Sequence, residues 1–251
     1  MDKDERFLEN RILELADKSY QKGIYTYSDF LNLHEQNTFN AMINKLPPID
    51  YSLIGGNIYA ERKIIEFKPR EIYYDSVAPI VVLKIEPINN KFSDTLTHRD
   101  FLGAILNLGI DRAKTGDILI KNNAAYIYVI ESMADFIMEN LTRIKHTVVR
   151  CNVCSEENLA IVPEFNEIVS TVSNIRLDAV ISSAFGLSRS KCITYISEGK
   201  VFVNGRLITS NGYSLKEKDI VSVRGLGRCI FEQHLNVTKK GRNLIKILKY
   251  I

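Results

Sequence analysis

"RLDAVISSAFGLSRSKCITYISEGKVFVNGR", residues 176–206, holds two helical periods, a break between them and the start of a hairpin. Leu177, Val180, Ile181 and Ala184 recur at three- and four-residue spacing, which gives the first helix one apolar face, and Gly186 stops it. A second helix starts at Ser188, whose hydroxyl can accept from the free backbone donors of the first turn. It buries Cys192, Ile193 and Ile196 and ends near Gly199. "VFVNGRLI" then turns at Asn204-Gly205, a dipeptide that suits the left-handed residues of a tight hairpin. Beyond it, "YSLKEKDIVSVRGLGRCIFE" (213–232) predicts two more strands, broken at Gly225 and Gly227.

Charge is uneven along the 251 residues. From Asn174 to the end there are 14 Lys and Arg against 5 Asp and Glu, while the rest of the chain carries 19 against 25. A basic C-terminal third behind an acidic remainder points to a polyanionic partner, most simply nucleic acid. The cations also fall at defined places. Arg189 and Lys191 sit in the first turn of the second helix beside Ser188 and Ser190, where free N–H groups and the positive dipole end suit a phosphate. Lys200 and Arg206 flank the hairpin, and Arg224 and Arg228 bracket the glycine turn. Such an edge grips a phosphate backbone by shape rather than by reading bases.

Upstream, the order of elements is β-α-β-β-α-β. "PIVVLKIEP" (79–87) is a buried strand, and "THRDFLGAILNLG" (97–109) is a helix capped at Thr97 and closed at Gly109. "GDILIK" and "AAYIYVIE" pair across Asn122-Asn123, "SMADFIMENLTRI" is a helix capped by Ser132, and "TVVRCNV" is a last strand. This is the split βαβ or ferredoxin-like unit. His98-Arg99-Asp100 spells a kinase catalytic loop, but Ile105 stands where that loop needs Asn, and no D-F-G follows. The peptide is the start of a core-facing helix. His98, Arg99, Asp100 and Arg112 could still contact RNA or a neighbouring domain, although helix capping and salt bridges explain them equally well. Tyr126 and Tyr128 share one face of the third strand, yet the glycine and basic residue of a base-stacking strand are missing. Cross-strand packing is the plainer reading, and RNA contact by this sheet stays open.

The N-terminal stretch reads as two helices. In "DERFLENRILELADKSYQKG", Phe7, Leu8, Ile12 and Leu15 fall on one face before Gly23, and "HEQNTFNAMINKL" stops ahead of Pro47-Pro48. The start of the chain, charged in both signs, does not fit a secretory or transit signal, and no apolar run reaches the ~20 residues that span a bilayer. The expected location is cytoplasmic, with the four cysteines reduced. Cys151 and Cys154 form a single C-x-x-C with no second pair at zinc spacing, and Cys192 and Cys229 read as small apolar residues. No metal or cofactor is expected.

The opening stretch, followed by "DIVSVRG", resembles the S4 RNA-binding domain in its R-L-D, S-R-S-K and V-N-G elements. "GGNIYAERK" (55–63), "HRDFLGAILNLGIDRAKTGDILI" (98–120) and "VSVRGLGR" (221–228) extend the resemblance to YlmH-type S4-domain proteins over nearly the whole chain. The expected fold class is α+β. It comprises a small α-rich N-terminal domain (1–72), an RRM-like, ferredoxin-like βαββαβ middle domain (73–158) and a C-terminal S4 (alpha-L) domain (174–251). The resemblance implies binding to ribosomal RNA and the large ribosomal subunit in bacterial ribosome-associated quality control. It also implies help in extending nascent chains on stalled peptidyl-tRNA complexes, and a link to cell division. It carries RNA contact onto Arg176, Ser188, Arg189, Lys191, Asn204, Arg206 and Arg224, with Asn204 also open to a pure turn role. A monomer with quality-control partner proteins is expected.

Two other classes stay open. S4 units are often joined to catalytic modules, so an RNA-modifying enzyme such as a pseudouridine synthase is one. Here, however, Arg176-Leu177-Asp178 lies inside the S4 unit, where Asp178 reads as a helix N-terminal carboxylate. The chain also lacks a cofactor-binding glycine loop, and its four histidines are scattered, so the expectation is a protein without catalysis. The other class is an adaptor whose acidic N-terminal portion recruits a protein.

Overall fold

The computed structural model describes residues 3–71, 74–89, 91, 93–154 and 163–251. The chain divides into two compact units, Met1–Val162 and Pro163–Ile251. Among the described residues no helix is long and apolar enough to cross a membrane.

The first unit opens with α1 (Lys3–Lys22), β1 (Thr26–Tyr27), α2 (Leu33–Met42), β2 (Asp50–Ile54) and β3 (Ile64–Lys68). Ile12, Leu15 and Ala16 of α1 pack with Phe39 and Met42 of α2 and with Ile65 and Phe67 of β3. Gly23 ends α1 at φ 62, a conformation that costs glycine little. Phe7, expected on the apolar face, is 76% exposed, because it lies about 140° around the helix from Ile12, while its neighbour Leu8 packs on the core. The strands form a three-stranded antiparallel sheet, β1-β3-β2, beside the two helices. β2 escaped the sequence reading because its outer half is exposed and its inner half only half-buried, which blurs the two-residue period.

The rest of the first unit follows the expected order: β4 (Ile80–Pro87), α3 (His98–Leu106), β5 (Thr115–Lys121), β6 (Ala124–Ile130), α4 (Ala134–Asn140), β7 (Arg143–Ile144) and β8 (Thr147–Val153). The sheet order β5-β6-β4-β8-β7, with every pair antiparallel, is the ferredoxin-like arrangement plus a short edge strand. Asn122 and Asn123 both take positive φ in the β5–β6 turn. Thr97 and Asp100 form a capping box at the head of α3. Ser132 does not cap α4. A 3-10 turn over Glu131–Met133 intervenes, and no side chain caps the helix at Met133. One sheet face packs on α3 and α4 through Phe101, Ile105, Ile127 and Ile137.

The opposite face of that sheet is closed by the N-terminal segment. Phe30 and Ile64 pack with Val82 and Tyr128, which is only 1% exposed. Gly56 (φ 85) brings its backbone onto the Tyr128 ring, and a Cβ there would lie 2.4 Å from Tyr128 Cδ1. Gly116 meets Phe30 in the same way, at 2.7 Å. Polar groups bolt the contact. Arg62 Nε donates to the Thr115 carbonyl at 2.9 Å and Nη2 to the Phe30 carbonyl at 2.8 Å, while Arg112 Nη1 donates to the Gly116 carbonyl at 3.0 Å. The Asp117 carboxylate accepts from the Glu61 and Arg62 amides. Burial lowers the pKa of both arginines, that of Arg112 to about 10 with the Arg62 charge adding to the effect. "GGNIYAERK" and "GIDRAKTGD" are thus two halves of one clamp, and Arg112 belongs to it rather than to the head of α3.

The second unit holds β9 (Phe165–Val172), α5 (Leu177–Phe185), α6 (Arg189–Ser197), β10 (Val201–Val203), β11 (Arg206–Leu207), β12 (Ile220–Val223), β13 (Gly227–Val237) and β14 (Asn243–Tyr250). They make a six-stranded antiparallel sheet, β11-β10-β12-β13-β14-β9, with α5 and α6 on one face. In sequence, "SEENLAIVPEFNEIVSTVS" (155–173) reads as a strand and connector. Its first part, 155–162, lies outside the described residues, and its second part is β9. This strand pairs with β14 along its whole length, so the sheet begins ahead of Asn174. Ile193, expected in the core, is 42% exposed, while Cys192 and Ile196 are buried. All four cysteines are free, and burial pushes the Cys151 and Cys229 thiols up to about 12. That fits small apolar roles.

Gly56→Ala adds a methyl group into the Tyr128 ring at a left-handed position. The expected loss is about 1–3 kcal/mol from overpacking alone, read as a lower urea midpoint. Gly103→Ala, whose added Cβ meets nothing within 4 Å, serves as the control that is not destabilised.

Candidate nucleic-acid interface

The interface grows from the α5–α6 turn. α5 buries Leu177, Val180, Ile181 and Ala184 and ends in the left-handed Gly186, φ 64. Ser182 Oγ donates to the Leu187 carbonyl at 2.7 Å and fixes the reversal. Ser188 caps α6, its Oγ accepting from the Lys191 amide at 3.4 Å and lying 3.1 Å from Ser190 Oγ. The first-turn donors of α6 therefore face solvent between exposed Arg189 and Lys191, neither of which pairs with a described carboxylate. A helix start of this kind favours an anion.

The sheet brings further cations to the same end. Arg224 N donates to the Lys200 carbonyl at 2.9 Å, which places these two side by side where β10 begins and β12 ends. The turn that follows passes through Gly225 and Gly227, and a Cβ on Gly227 would lie 4.0 Å from Phe185 at the end of α5. Leu187 and Leu226 pack on the same core there. Successive strand residues point to opposite faces. Val221 and Val223 face the helices, so Ser222 and its cross-strand partners Phe202 and Arg228 face outward. On that outer face the Arg224 guanidinium lies 5.0 Å from the Phe202 ring centroid, and that of Arg228 lies 4.8 Å from Tyr250. Stacking on a ring limits where a guanidinium can go, while its in-plane donors keep the geometry that suits a phosphate.

Lys200 is held differently. Its Nζ pairs with Glu198 at 2.6 Å, which raises its pKa, and sits 5.5 Å from the Tyr195 ring. Lys249 was missed by the sequence reading. It is the cross-strand partner of Cys229, and its Nζ lies 5.1 Å from the Phe185 ring centroid, at the same end of the sheet. In "NLIKILKY" it continues the alternation of buried Ile245 and Ile247, so its spacing reads as a core position.

Three expected residues do not join this end. Arg176 sits at the other end of α5 and grips the carboxylate of Asp178 with two hydrogen bonds, at 3.1 and 2.9 Å. Asp178 is 4% exposed at its side chain, so Arg176 neutralises a buried charge. Asn204 (φ 47) and Gly205 (φ 76) make the hairpin turn. The Asn204 amide donates to buried Asp219 at 2.7 Å, and its oxygen accepts from the Ile220 amide at 2.9 Å. Those bonds occupy the side chain inside the fold. Arg206 is exposed but lies beyond the Asn204-Gly205 turn, at the opposite end of β10 from Lys200. The structure thus assembles Ser188, Arg189, Lys191, Lys200, Arg224, Arg228 and Lys249, and separates them from Arg176, Asn204 and Arg206.

Asn204→Ala removes bonds to a buried carboxylate and is expected to destabilise the protein by about 1–3 kcal/mol. Arg189 is exposed and has no carboxylate partner among the described residues, so Arg189→Ala should stay within about 0.5 kcal/mol of the parent. Urea unfolding of both variants checks the division between framework and interface.

Comparison with known proteins adds three findings. Residues 79–158 match the family described as "Putative RNA-binding domain in YlmH", and residues 175–221 match the S4 domain. The "Ribosome-associated protein quality control protein P2" of Bacillus subtilis (strain 168) is 30% identical over 244 residues, covering 96% of this chain and 93% of that one. Among solved structures, the "Cell division protein ylmH from Streptococcus pneumoniae" aligns with a TM-score of 0.49 at 22% identity, covering 62% of this chain and 93% of that one.

Proposed function

The chain belongs to the YlmH family of S4-domain RNA-binding proteins, and from that premise we propose that it binds ribosomal RNA on the large ribosomal subunit. In this reading it sits beside peptidyl-tRNA and assists quality control of stalled nascent chains, as a cytoplasmic monomer working with partner proteins and without catalysis of its own. Residues 174–251 supply the RNA grip, 73–158 a second RNA-binding module, and 1–72 the segment that braces it. The observation that carries the reading is the pair of exposed cations at the α6 start, Arg189 and Lys191, with exposed Arg224 and Arg228 on either side of the glycine turn that lies by Phe185 at the end of α5. Two of these guanidiniums lie over aromatic rings, and a capped helix start lies between the other two cations.

The proposed mechanism is binding. Lysine and arginine side chains displace counterions from phosphates, and the α6 start fixes where one phosphate sits. The ring-backed arginines add shape selectivity for a bent or looped backbone, which suits structured RNA better than a regular duplex. The relative named for ribosome-associated quality control supports the ribosome as the place where that RNA is met.

Co-sedimentation with purified ribosomal subunits across a salt series tests this. The wild type is expected to pellet saturably with the large subunit. Arg189→Ala/Arg224→Ala should weaken binding, and its log-affinity against log-salt slope should flatten by roughly 0.7–0.9 for each phosphate that is no longer neutralised. A double variant indistinguishable from wild type would remove the site. Absence of subunit binding would turn the reading toward another RNA or toward a protein adaptor.

A further inference from the structure

An RRM-like domain ordinarily offers RNA the sheet face away from its helices. In this protein that face is filled by Phe30 and Ile64 and by the Tyr128–Gly56 contact. A middle domain that binds RNA must use another surface. The helical side provides one. A groove of about 420 Å³ runs between α3 and the segment joining the end of α4 to β7, with Arg99, Gly103 and Asn107 on one wall and Thr142, Arg143 and Lys145 on the other.

Its walls are fixed. Lys145, held at φ 52 in the turn between β7 and β8, reaches Asp100 at 2.8 Å. The same Asp100 oxygen accepts from the Thr97 amide and hydroxyl at the head of α3. These bonds hold the Asp100 carboxyl well below the usual range, at about 2. On the far side of the turn, the Asp94 carboxylate accepts from the His146 amide and the Thr147 hydroxyl. Lys145 and Asp100 offset one another. Arg99 and Arg143 are exposed, and neither has a described partner, so the groove carries two uncommitted guanidiniums.

Gly103 is the second observation. Glycine within a helix costs roughly 0.5–1 kcal/mol relative to alanine. It is usually retained where φ is positive or a neighbour leaves no space for a Cβ. Neither reason holds here, because a Cβ at Gly103 would meet nothing within 4 Å and its φ is ordinary for a helix. The fold therefore does not call for a glycine at this place. A ligand lying against the helix backbone would.

We propose that this groove is the RNA-binding site of the middle domain, taking the phosphodiester backbone of a single-stranded or looped RNA segment. Arg99 and Arg143 bind phosphate from opposite walls, and Gly103 lets the strand approach α3 closely. Asn107, one helical turn further on, lies where its amide can meet a base edge or ribose. The proposal rests on the RNA-binding reading but uses a surface remote in sequence from the S4 residues.

The test uses the full chain in the Arg189→Ala/Arg224→Ala background, where RNA contact by the second unit is weakened. Binding of a fluorescent 12-nucleotide oligouridylate is followed by anisotropy, and ultraviolet crosslinks are mapped by mass spectrometry. Adding Arg99→Ala/Arg143→Ala is expected to lower the residual affinity at least fivefold. Gly103→Glu should do the same by filling and charging the groove, at an unchanged urea midpoint. Crosslinks should fall within 98–108 and 140–146. Unchanged affinity in both groove variants, with crosslinks confined to 174–251, would overturn the groove and leave the RNA-binding reading standing. Failure of the otherwise wild-type chain to bind either this RNA or ribosomal subunits would overturn both. Protection of the groove by polyglutamate but not by RNA would assign it to an acidic protein segment and refute the proposal.

Discussion

The Tyr128 ring lies against the bare backbone of Gly56, and much of the first unit follows from that contact. It seals the sheet face on which a base-stacking domain would lay its RNA. It also requires Phe30 and Ile64 to be present, which ties the N-terminal helices and their small sheet to the middle sheet. Arg62 and Arg112 then become structural. Arg62 commits its guanidinium to backbone carbonyls of the opposing segments, Arg112 folds its own back onto the Thr115 and Gly116 carbonyls of its turn, and Asp117 ties down the loop that carries Arg62. Two half-buried cations side by side are costly unless their donors are used. The lowered pKa of each shows the burial, and the carbonyl partners supply the compensation.

Much of this was legible in the sequence, and the failures have physical causes. The βαββαβ order follows from alternating and helical periods that agree with the turn residues, and Asn122-Asn123 and Asn204-Gly205 take the left-handed backbone their chemistry favours. The head of α3 was read rightly because a capping box is local: four residues decide it. Strands β2, β9 and β14 were harder, since their partners are distant or their burial is partial. Ser132 misled because a serine before an apolar run is a good cap only if the helix starts there, and a 3-10 turn starts first.

The candidate interface was legible as a set of residue types but not as a place. Spacing cannot say that Arg224 and Arg228 rest on Phe202 and Tyr250, because those rings come from strands 22 residues earlier and later in the chain. Nor could it remove Arg176, whose cation is held by the carboxylate two residues away, or find Lys249 at the end of an apolar face. A family motif marks both residues that build the turn and residues that meet the partner. Asn204 is hydrogen-bonded inside the fold, whereas Arg189 is left exposed and is proposed for the second kind.

The RNA-binding surfaces proposed for the two units arise by different routes. In the second, cations gather at one end of a sheet because strand ends and a helix start coincide there, and aromatic rings limit where two of the arginines can go. In the first, the usual platform has been given over to internal packing, and what remains on the helical side is a groove with guanidiniums on both walls and a glycine that packing does not require. The buried thiols at Cys151 and Cys229 are held protonated by burial at neutral pH. Fixed positive charge facing a mobile polyanion stabilises a complex without needing to distinguish a ground state from a transition state. That is the behaviour of a clamp on an RNA complex, and two such surfaces on one chain can bind more tightly than either alone when the RNA reaches both.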